Sequence, residues 1–448
     1  MNARGWIAAA AWALAVVGAQ SQPLGAALEA AARHDPLFQA ARAELEAARQ
    51  LQPIARAAQL PSVSATVADT RVDGTRELPG LTGVSRSALD YRSPSQALTI
   101  RVPLLNPEAW HRERAARARV EQAEQVFQVR RLELLERTAL AWLNLRKAEQ
   151  IAALAAQPVA AALAVAEQAR SRLDAGEATR LDVADAQAAL AQARAQEAAA
   201  RSAVALASLA LNQLTGAVAH ATAPERDAGR VQLPATWPGS QEGLEAALAR
   251  AKAGHPALAA RRLAVVAAAA EIRRNEAGHL PRADLVLSAS NSRNESVSTL
   301  NQSISQRSYG AQLSLPLYSG GLVLASVAQA SAELRRAEAE WAAEEQAVER
   351  EVTRLHLALR DQARRLQAQE QAVEAARLAS RATTLAQAAN LATPTEVRLA
   401  QRRLAQEQQA LVEVAHEGAL AWVRLQGQQG EDPLRIAATF DEWVRAAP

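Results

Sequence analysis

The chain of 448 residues contains no cysteine, and aromatic residues make up only 3% of it. Without cysteine there can be no disulfides, thiolate metal sites, cysteine nucleophiles or N-terminal lipid-modified cysteine. Seven scattered histidines, no glycine-rich phosphate loop and no paired carboxylates at strand ends leave no recognisable catalytic arrangement. We therefore expect a protein that is not an enzyme and needs neither a cofactor nor a metal.

An excess of one charge sign is also missing. The chain has 50 basic and 47 acidic residues, a formal net charge of +3. No basic block is interleaved with aromatic residues, so nucleic acid is not an expected partner. Mixed charge, together with abundant Ala, Arg, Gln, Glu and Leu, favours long helices with solvated faces and close helix–helix contacts.

Beyond the N-terminus, no stretch of 18 uncharged apolar residues occurs, so no transmembrane helix is expected. The N-terminus itself has one arginine, an apolar run from Trp6 to Val17 and small residues before Gln20. This pattern is typical of a secretory signal peptide over residues 1–19. The mature chain is then periplasmic, secreted or part of an outer-membrane barrel.

The mature chain carries one pattern twice. Four pairs of segments match in register: the helix openings at 24–36 and 244–256, the strand starts at 60–62 and 280–282, the strand ends at 102–104 and 315–317, and the polar turns at 177–187 and 391–401. Gln, Thr and Leu recur in register at the turns, which an alanine-rich composition alone does not explain. The sequence therefore predicts two repeats, 20–216 and 241–448, joined by a linker at 217–240.

Each repeat is predicted to run helix, strand, loop, strand, long helix, turn and helix. Apolar and polar residues that alternate with a period of two predict four strands, separated within each pair by polar loops at 73–93 and 294–306. Such strands suit a half-buried soluble sheet or a membrane barrel, whose tilted strands need about 9–11 residues. Four strands cannot close a barrel, so a membrane-spanning sheet requires two or three chains.

The helices predicted between the strands are unusually long. The stretches 107–175 and 319–389 each predict a helix of roughly 105 Å, the first kinked at Pro158. Two shorter stretches, 24–58 and 179–215, together match one long helix, so they could stack end to end beside it. The second repeat has equivalent stretches at 241–279 and 394–428. Apolar steps of three and four residues predict coiled-coil seams, listed as Leu132, Leu135, Ala139 and Trp142, and as Val183, Ala186, Leu190 and Ala193.

These features together resemble the TolC-like outer-membrane channel family. The resemblance lies in the paired LxxAL…(D/H)P openings, the strand ends VPLLN and LPLYSGG and the two polar turns, and it covers nearly the whole mature chain. It implies an α+β membrane protein with duplicated halves. Four strands per chain would contribute to a trimeric 12-strand outer-membrane barrel, continued by a long periplasmic α-helical barrel.

The resemblance also implies a function in the bacterial outer membrane. A homotrimer would form the exit duct of a tripartite efflux or type I secretion system, with a periplasmic adaptor protein and an inner-membrane pump of RND or ABC type. Leu and Val would face outer-membrane lipid, and the candidates for an aromatic girdle are Tyr91, Trp110, Tyr309 and Tyr318. The alternative is a soluble periplasmic coiled-coil scaffold, or the adaptor itself.

The resemblance identifies the two polar turns as helix-turn-helix tips at the periplasmic end, where an adaptor would dock. The docking residues implied are Gly176, Ala178, Thr179, Asn390, Ala392, Thr393 and Pro394. Both threonines are predicted helix caps, and the proline is a predicted first helical residue.

By position, Asp182 and Glu396 match the acids that narrow the entrance in the family. A ring of three Glu396 side chains would repel anions and attract cations, and their mutual repulsion would raise their pKa values. Alternatively each is a solvated acid favoured by the helix dipole. The chain departs from the family at Asn390 and Ala392, which leaves Arg180 and Arg398 as candidates for salt links between tips.

Overall fold

The computed structural model describes residues 23–80, 83–216, 242–296, 299–389 and 391–446. The predicted signal peptide, the predicted linker and Asn390 therefore lie outside the described residues. The chain divides into two compact units that cut across the predicted repeats. The helical unit comprises Met1–Gln39, Arg131–Gly254 and Glu349–Pro448, and the sheet unit comprises Ala40–Arg130 and His255–Val348. The repeat boundaries stay a prediction.

The elements follow the predicted order. In chain order they are α1 (Leu24–His34), α2 (Pro36–Arg49), α3 (Leu51–Ala57), β1 (Ser62–Gly80), β2 (Gly83–Leu105), α4 (Pro107–Asp174), α5 (Arg180–Thr215), α6 (Leu244–Gly254), α7 (Pro256–Glu276), a 3-10 turn (Ala277–His279), β3 (Arg282–Ser296), β4 (Thr299–Ser314), α8 (Leu322–Ala388), α9 (Pro394–Gln428) and α10 (Pro433–Ala446).

The first helix of each repeat is broken, so the predicted single helices 24–58 and 241–279 are wrong. Asp35 and His255 have extended ψ angles of 117° and 119° because each precedes a proline, whose ring disfavours the helical region. Each then caps the next helix: Asp35 accepts from the Phe38 N–H at 3.0 Å, and His255 Nδ1 accepts from the Ala257 N–H at 3.2 Å. The further break at Gln50 precedes Pro53, which lacks an N–H.

The long helices are as predicted. α4 has 68 residues and α8 has 67, each about 100 Å long at 1.5 Å per residue. α4 stays helical through Pro158. Within the described ranges, α4 is also the one helix that contains an 18-residue stretch apolar enough to cross a bilayer. One such helix, judged by length and composition only, is weak evidence for a membrane span.

In the helical unit, the short helices meet differently from the predicted end-to-end stack. Gly216, which ends α5 with φ 70°, lies against the ring of His34 at the end of α1. In the second half, Gly430 with φ 79° lies against the backbone of Gly254 at the end of α6. The ends of α5 and α9 therefore lie against the ends of α1 and α6, and not against their beginnings. α1 and α6 are consequently not part of the predicted end-to-end stack.

The core of the helical unit gathers aromatic side chains from three helices. Phe440 of α10 is fully buried, with ring centroids 5.8 Å from Trp142 of α4 and 6.1 Å from Trp422 of α9. Trp443 completes the cluster. The predicted seam on α4 supplies this core, since Leu135, Ala139 and Trp142 are all buried.

The helical unit also joins the two ends of the chain. Asp441 of α10 accepts hydrogen bonds from the backbone N–H of Leu24 at 2.7 Å and of Gly25 at 2.8 Å. The N-cap residue of α1, Pro23, offers no side-chain cap, so Asp441 supplies it. Burial raises the pKa of Asp441, and the two N–H donors act in the opposite direction.

Candidate functional site: an exposed apolar sheet face and two capped tips

The sheet unit contains one four-stranded antiparallel sheet in the order β1-β2-β3-β4. The predicted loops 73–93 and 294–306 are wrong, because most of their residues continue the strands: Asp73 pairs with Asp90, and Asn294 with Gln302. The strands are 15 to 23 residues long, longer than the 9–11 that a bilayer requires. The segments predicted as loops are polar and therefore show no strand pattern in the sequence, but the backbone hydrogen bonds of the two hairpins hold them as strands.

The strand register collects the apolar side chains on one face of the sheet, the apolar face. Directly paired residues on it are Val63–Ile100–Leu287–Tyr309 and Ala65–Leu98–Ala289–Arg307, with Val102–Leu285–Ala311 and Ala283–Leu313 towards the helices. The opposite face, the polar face, carries rows such as Ser64–Thr99–Ser288–Ser308. This confirms the predicted alternation.

Large apolar side chains on the apolar face are exposed, which is energetically unfavourable in water. Val63 is 64%, Leu313 71% and Tyr309 85% exposed. On β2 from Asp90 to Leu98, residues of this face are exposed while the intervening ones are half-buried, and β3 shows the same from Leu287 to Arg293. The sheet therefore curves towards its polar face and presents Leu, Ile, Val and Tyr outwards, as a barrel wall does in lipid.

The predicted aromatic girdle is only partly in place. Tyr309 lies on the apolar face, but in its middle rather than at its border. Tyr91 is wrong as a girdle residue, because it lies within β2 on the polar face. Trp110 and Tyr318 lie just outside the strands, 44% and 86% exposed.

The apolar face ends at one level in all four strands. The row Val67–Gln96–Asn291–Ser305 is already mostly polar, and Asp69, Pro94, Arg293 and Ser303 follow it. Arg307, one row earlier, is the exception. A shared border of this kind marks the edge of the lipid-facing band.

The two tips end in the same structure, a helix N-terminus closed by a capping box. Thr179 Oγ1 accepts from the Asp182 N–H at 3.2 Å, and the Asp182 carboxylate accepts from the Thr179 N–H at 2.8 Å. Thr393 and Glu396 repeat this at 3.3 and 2.7 Å. Both predicted caps are confirmed, as is Pro394 as the first residue of α9.

The other predicted tip residues make few contacts within the chain. Gly176 has φ 77°, which lets the chain turn after α4. Ala178 and Ala392 are half-buried. Within the described ranges neither Arg180 nor Arg398 forms an ion pair; Arg398 donates to Thr395 Oγ1 at 3.1 Å.

The capping boxes set the electrostatics of the two acids. Hydrogen bonds from the Thr179 backbone and side chain lower the pKa of Asp182, and those from Thr393 lower the pKa of Glu396. The raised pKa values expected for a ring of three carboxylates stay a prediction, because a single chain holds no such ring; within one chain, donors to the ionised carboxylate act on it directly. The alternative, an acid stabilised at a helix N-terminus, fits the geometry.

A link between the two hairpins near the tips was not predicted. Arg402 of α9 donates to Gln192 Oε1 of α5 at 3.3 Å. Sequence patterns could not identify it, because the two residues are 210 positions apart in the chain. The bond shows that α5 and α9 are neighbours in the helical unit.

The cap on the second tip can be tested directly. Thr393→Ala should destabilise the first turn of α9 by about 1 kcal/mol and let the Glu396 pKa rise towards its ordinary value. Because its pKa is lowered in the folded tip, the ionised Glu396 carboxylate stabilises the tip at pH values above its ordinary pKa, and this stabilisation is lost as the pH falls through the lowered pKa. The variant should therefore lose protection of the tip at a higher pH than the parent. Hydrogen exchange at the amides of residues 395–397, followed as a function of pH, measures both effects, and Thr395→Ala is the control.

A four-stranded sheet with an exposed apolar face, joined to helices of about 100 Å that turn at capped tips, defines the class of outer-membrane channels with a helical tunnel. The model of the outer membrane efflux protein family matches residues 27–217 and 247–431. The chain belongs to this family, so its location is the bacterial outer membrane with a periplasmic tunnel and its role is export.

Known relatives agree. PrtF of Dickeya chrysanthemi, a proteases secretion protein, is 30% identical over 97% of this chain and 94% of its own length. AprF of Pseudomonas aeruginosa, an alkaline protease secretion protein, is 28% identical over 92% and 85%. BepC of Brucella suis, an outer membrane efflux protein, is 27% identical over 64% and 61%.

Solved structures share the fold. CusC superimposes with a TM-score of 0.74 at 16% identity, over 91% of this chain and 92% of CusC. VceC of Vibrio cholerae gives 0.68 at 21% identity, over 91% and 97%. The chain is thus a channel component of the efflux and secretion class, and the alternative of a soluble scaffold or adaptor is not supported.

Proposed function

We propose that three copies of this chain form the exit duct of a type I secretion system, which passes a protein from an inner-membrane ABC-type pump to the medium. The observation that carries this proposal is the match to two protease secretion proteins over nearly the whole chain. A drug or metal efflux duct fed by an RND-type pump is the second candidate, favoured by the family's description and by BepC.

The sheet supports assembly from several copies. In the described ranges, the outer edges of β1 and β4 pair with no other strand. Unpaired backbone groups in lipid are destabilising by several kcal/mol each, so these edges need partners. β1 and β4 run in opposite directions, so β4 of one copy can pair antiparallel with β1 of the next. The family resemblance favours three copies and 12 strands.

The helical unit supports assembly as well. Towards the tips, α4 and α8 expose apolar side chains that a single chain leaves in water, namely Leu163, Val165, Leu378 and Leu385. A tunnel wall built from neighbouring copies would cover such residues.

In this proposal the tips are the docking site for a periplasmic adaptor. The residues involved are Gly176, Ala178, Thr179, Asn390, Ala392, Thr393 and Pro394. Asp182 and Glu396 supply negative charge at the periplasmic entrance, with Arg180 and Arg398 beside them. Because the capping boxes keep both acids ionised, we infer a cation-preferring entrance.

Two substitutions of one residue separate the cap from the charge. Glu396→Gln retains the capping-box hydrogen bonds but removes the charge, whereas Glu396→Ala removes both. Both variants should lower the cation-to-anion permeability ratio of single channels in planar bilayers by about twofold or more. If Glu396→Gln has the parental ratio, Glu396 is only a cap and has no part in the entrance.

The cargo is tested by deleting the gene in its host. The expected result is the loss of one or more proteins from the medium, with unchanged sensitivity to toxic small molecules. Complementation with the parent chain should restore secretion. An unchanged set of secreted proteins together with increased drug or metal sensitivity would replace the secretion proposal with the efflux candidate.

A further inference from the structure

The β1–β2 hairpin extends well past the rest of the sheet. β2 pairs with β3 only from Ser95 onwards, so residues 69–80 and 83–94, which we call the arm, form a two-stranded ribbon. Twelve residues of β1, Asp69–Gly80, lie beyond that level, which corresponds to about 40 Å at 3.3 Å per residue. The arm starts where the apolar face ends, so it projects from the outer surface of the membrane.

The two faces of the sheet exchange character at the base of the arm. All the acids of the arm, and all but one of its arginines, continue the line of the apolar face: Asp69, Arg71, Asp73, Glu77, Arg86, Asp90 and Arg92. Arg76 is the exception. The face that was lipid-directed becomes charged, which is expected where lipid gives way to water.

These charges largely neutralise one another. Arg71 pairs with Asp90 at 3.1 Å, Arg86 with Glu77 at 2.5 Å, and Arg92 with Asp69. A face in which three arginines already have carboxylate partners is a poor receptor for lipid phosphates. We therefore interpret this charged face of the arm as the outer surface of the ribbon, exposed to water.

The opposite face changes in the other direction. Below the arm it is the polar face, rich in Ser and Thr. Within the arm it carries Val72, directly paired with Tyr91, and Leu89, paired with Gly74. All three large side chains are half-buried, and they continue the concave side of the sheet. An apolar cluster thus lies on the side that encloses the channel axis.

We propose that the arms of the three copies lean together over the outer mouth of the duct and form an extracellular gate, in which Val72, Leu89 and Tyr91 of each copy pack against the same residues of the other two. The proposal rests on the trimer put forward under the proposed function. Three features support this occupant: the cluster is on the axis side, the charges are on the other side, and the curvature of the sheet continues into the arm. A narrow apolar constriction of this kind excludes water and ions until it is opened.

The chain contains no cysteine, so a single engineered thiol can test the contact. Tyr91→Cys should form disulfide-linked dimers when outer-membrane fractions are treated with copper phenanthroline, which accepts the two electrons; one thiol per trimer should stay free. The matched control is Asp90→Cys, its neighbour on the charged face, which should not cross-link because Cα atoms more than 7 Å apart cannot be bridged.

The outcomes separate this inference from the trimer itself. A native mass of three chains without a Tyr91→Cys cross-link overturns the gate and leaves the trimer intact. A mass of one chain overturns the trimer first. Equal cross-linking at both positions shows freely colliding arms and also overturns the gate.

Conductance provides a second test. Oxidised Tyr91→Cys channels should conduct at most half as well as reduced ones, and reductant should restore the current. Tyr91→Ala should at least double the conductance of the unlinked channel. A Tyr91→Ala channel that conducts like the parent contradicts an apolar constriction at this level.

Discussion

Gly430→Ala is expected to prevent the chain from folding into a stable channel. A Cβ at this position would overlap the backbone carbonyl of Gly254, and the φ of 79° already disfavours any side chain. Backbone atoms cannot swing away as a flexible side chain can, so the end of α9 and the end of α6 would have to separate. The intensity of the folded, heat-modifiable band on gels and the amount of channel in outer-membrane fractions should both fall by at least tenfold.

The control for this prediction is Gly176→Ala. Gly176 has nearly the same φ, 77°, but open space where the Cβ would lie. It should show only the conformational penalty, about 1 kcal/mol. If the two variants are equally stable, close backbone approach at Gly430 does not hold the helical unit together.

Phe440→Ala is expected to destabilise the helical unit by about 3–5 kcal/mol. Phe440 is completely buried between Trp142 and Trp422, so its truncation leaves a cavity that three helices cannot easily close. The midpoint of thermal unfolding, followed by tryptophan fluorescence in detergent, should fall accordingly.

Leu434→Ala on the same helix is the matched comparison. Leu434 is 45% exposed and should lose less than about 1 kcal/mol. Equal effects of the two substitutions would mean that α10 is held by general surface burial and not by the aromatic cluster.

The helical part of the fold could be predicted because its signals are local. Thr179 and Thr393 stand three residues before an acid, and a capping box needs no distant partner. Apolar spacing in α4 and α8 revealed helices of nearly the right length. Proline follows directly after the breaks at Asp35 and His255, but continuous helices were predicted there, because the alanine-rich pattern runs on at either side.

The strand lengths could not be predicted in the same way. The arm has little apolar alternation, and its strand structure depends on the cross-strand hydrogen bonds and ion pairs that join residues such as Arg71 and Asp90. Single-sequence patterns report burial, and an exposed ribbon has almost none. The aromatic core was missed for a related reason, since Phe440 and Trp142 lie 298 positions apart.

The acids at the tips illustrate a further limit. Their positions followed from the family resemblance, but the sign of the pKa shift depended on which interaction is nearest. A donor at 2.7 Å from the Glu396 carboxylate outweighs what other groups of the same chain contribute.

The bond between Asp441 and the first turn of α1 imposes an order on biogenesis. A helix near the start of the mature chain receives its cap from a residue 417 positions later. During synthesis and export the early segments must therefore wait, uncapped and open to periplasmic proteases and chaperones, until the last few dozen residues have emerged. A chain that stops before Asp441 would therefore lack the cap on α1, and the first turn of α1 would fray even if the other helices and the sheet had folded correctly.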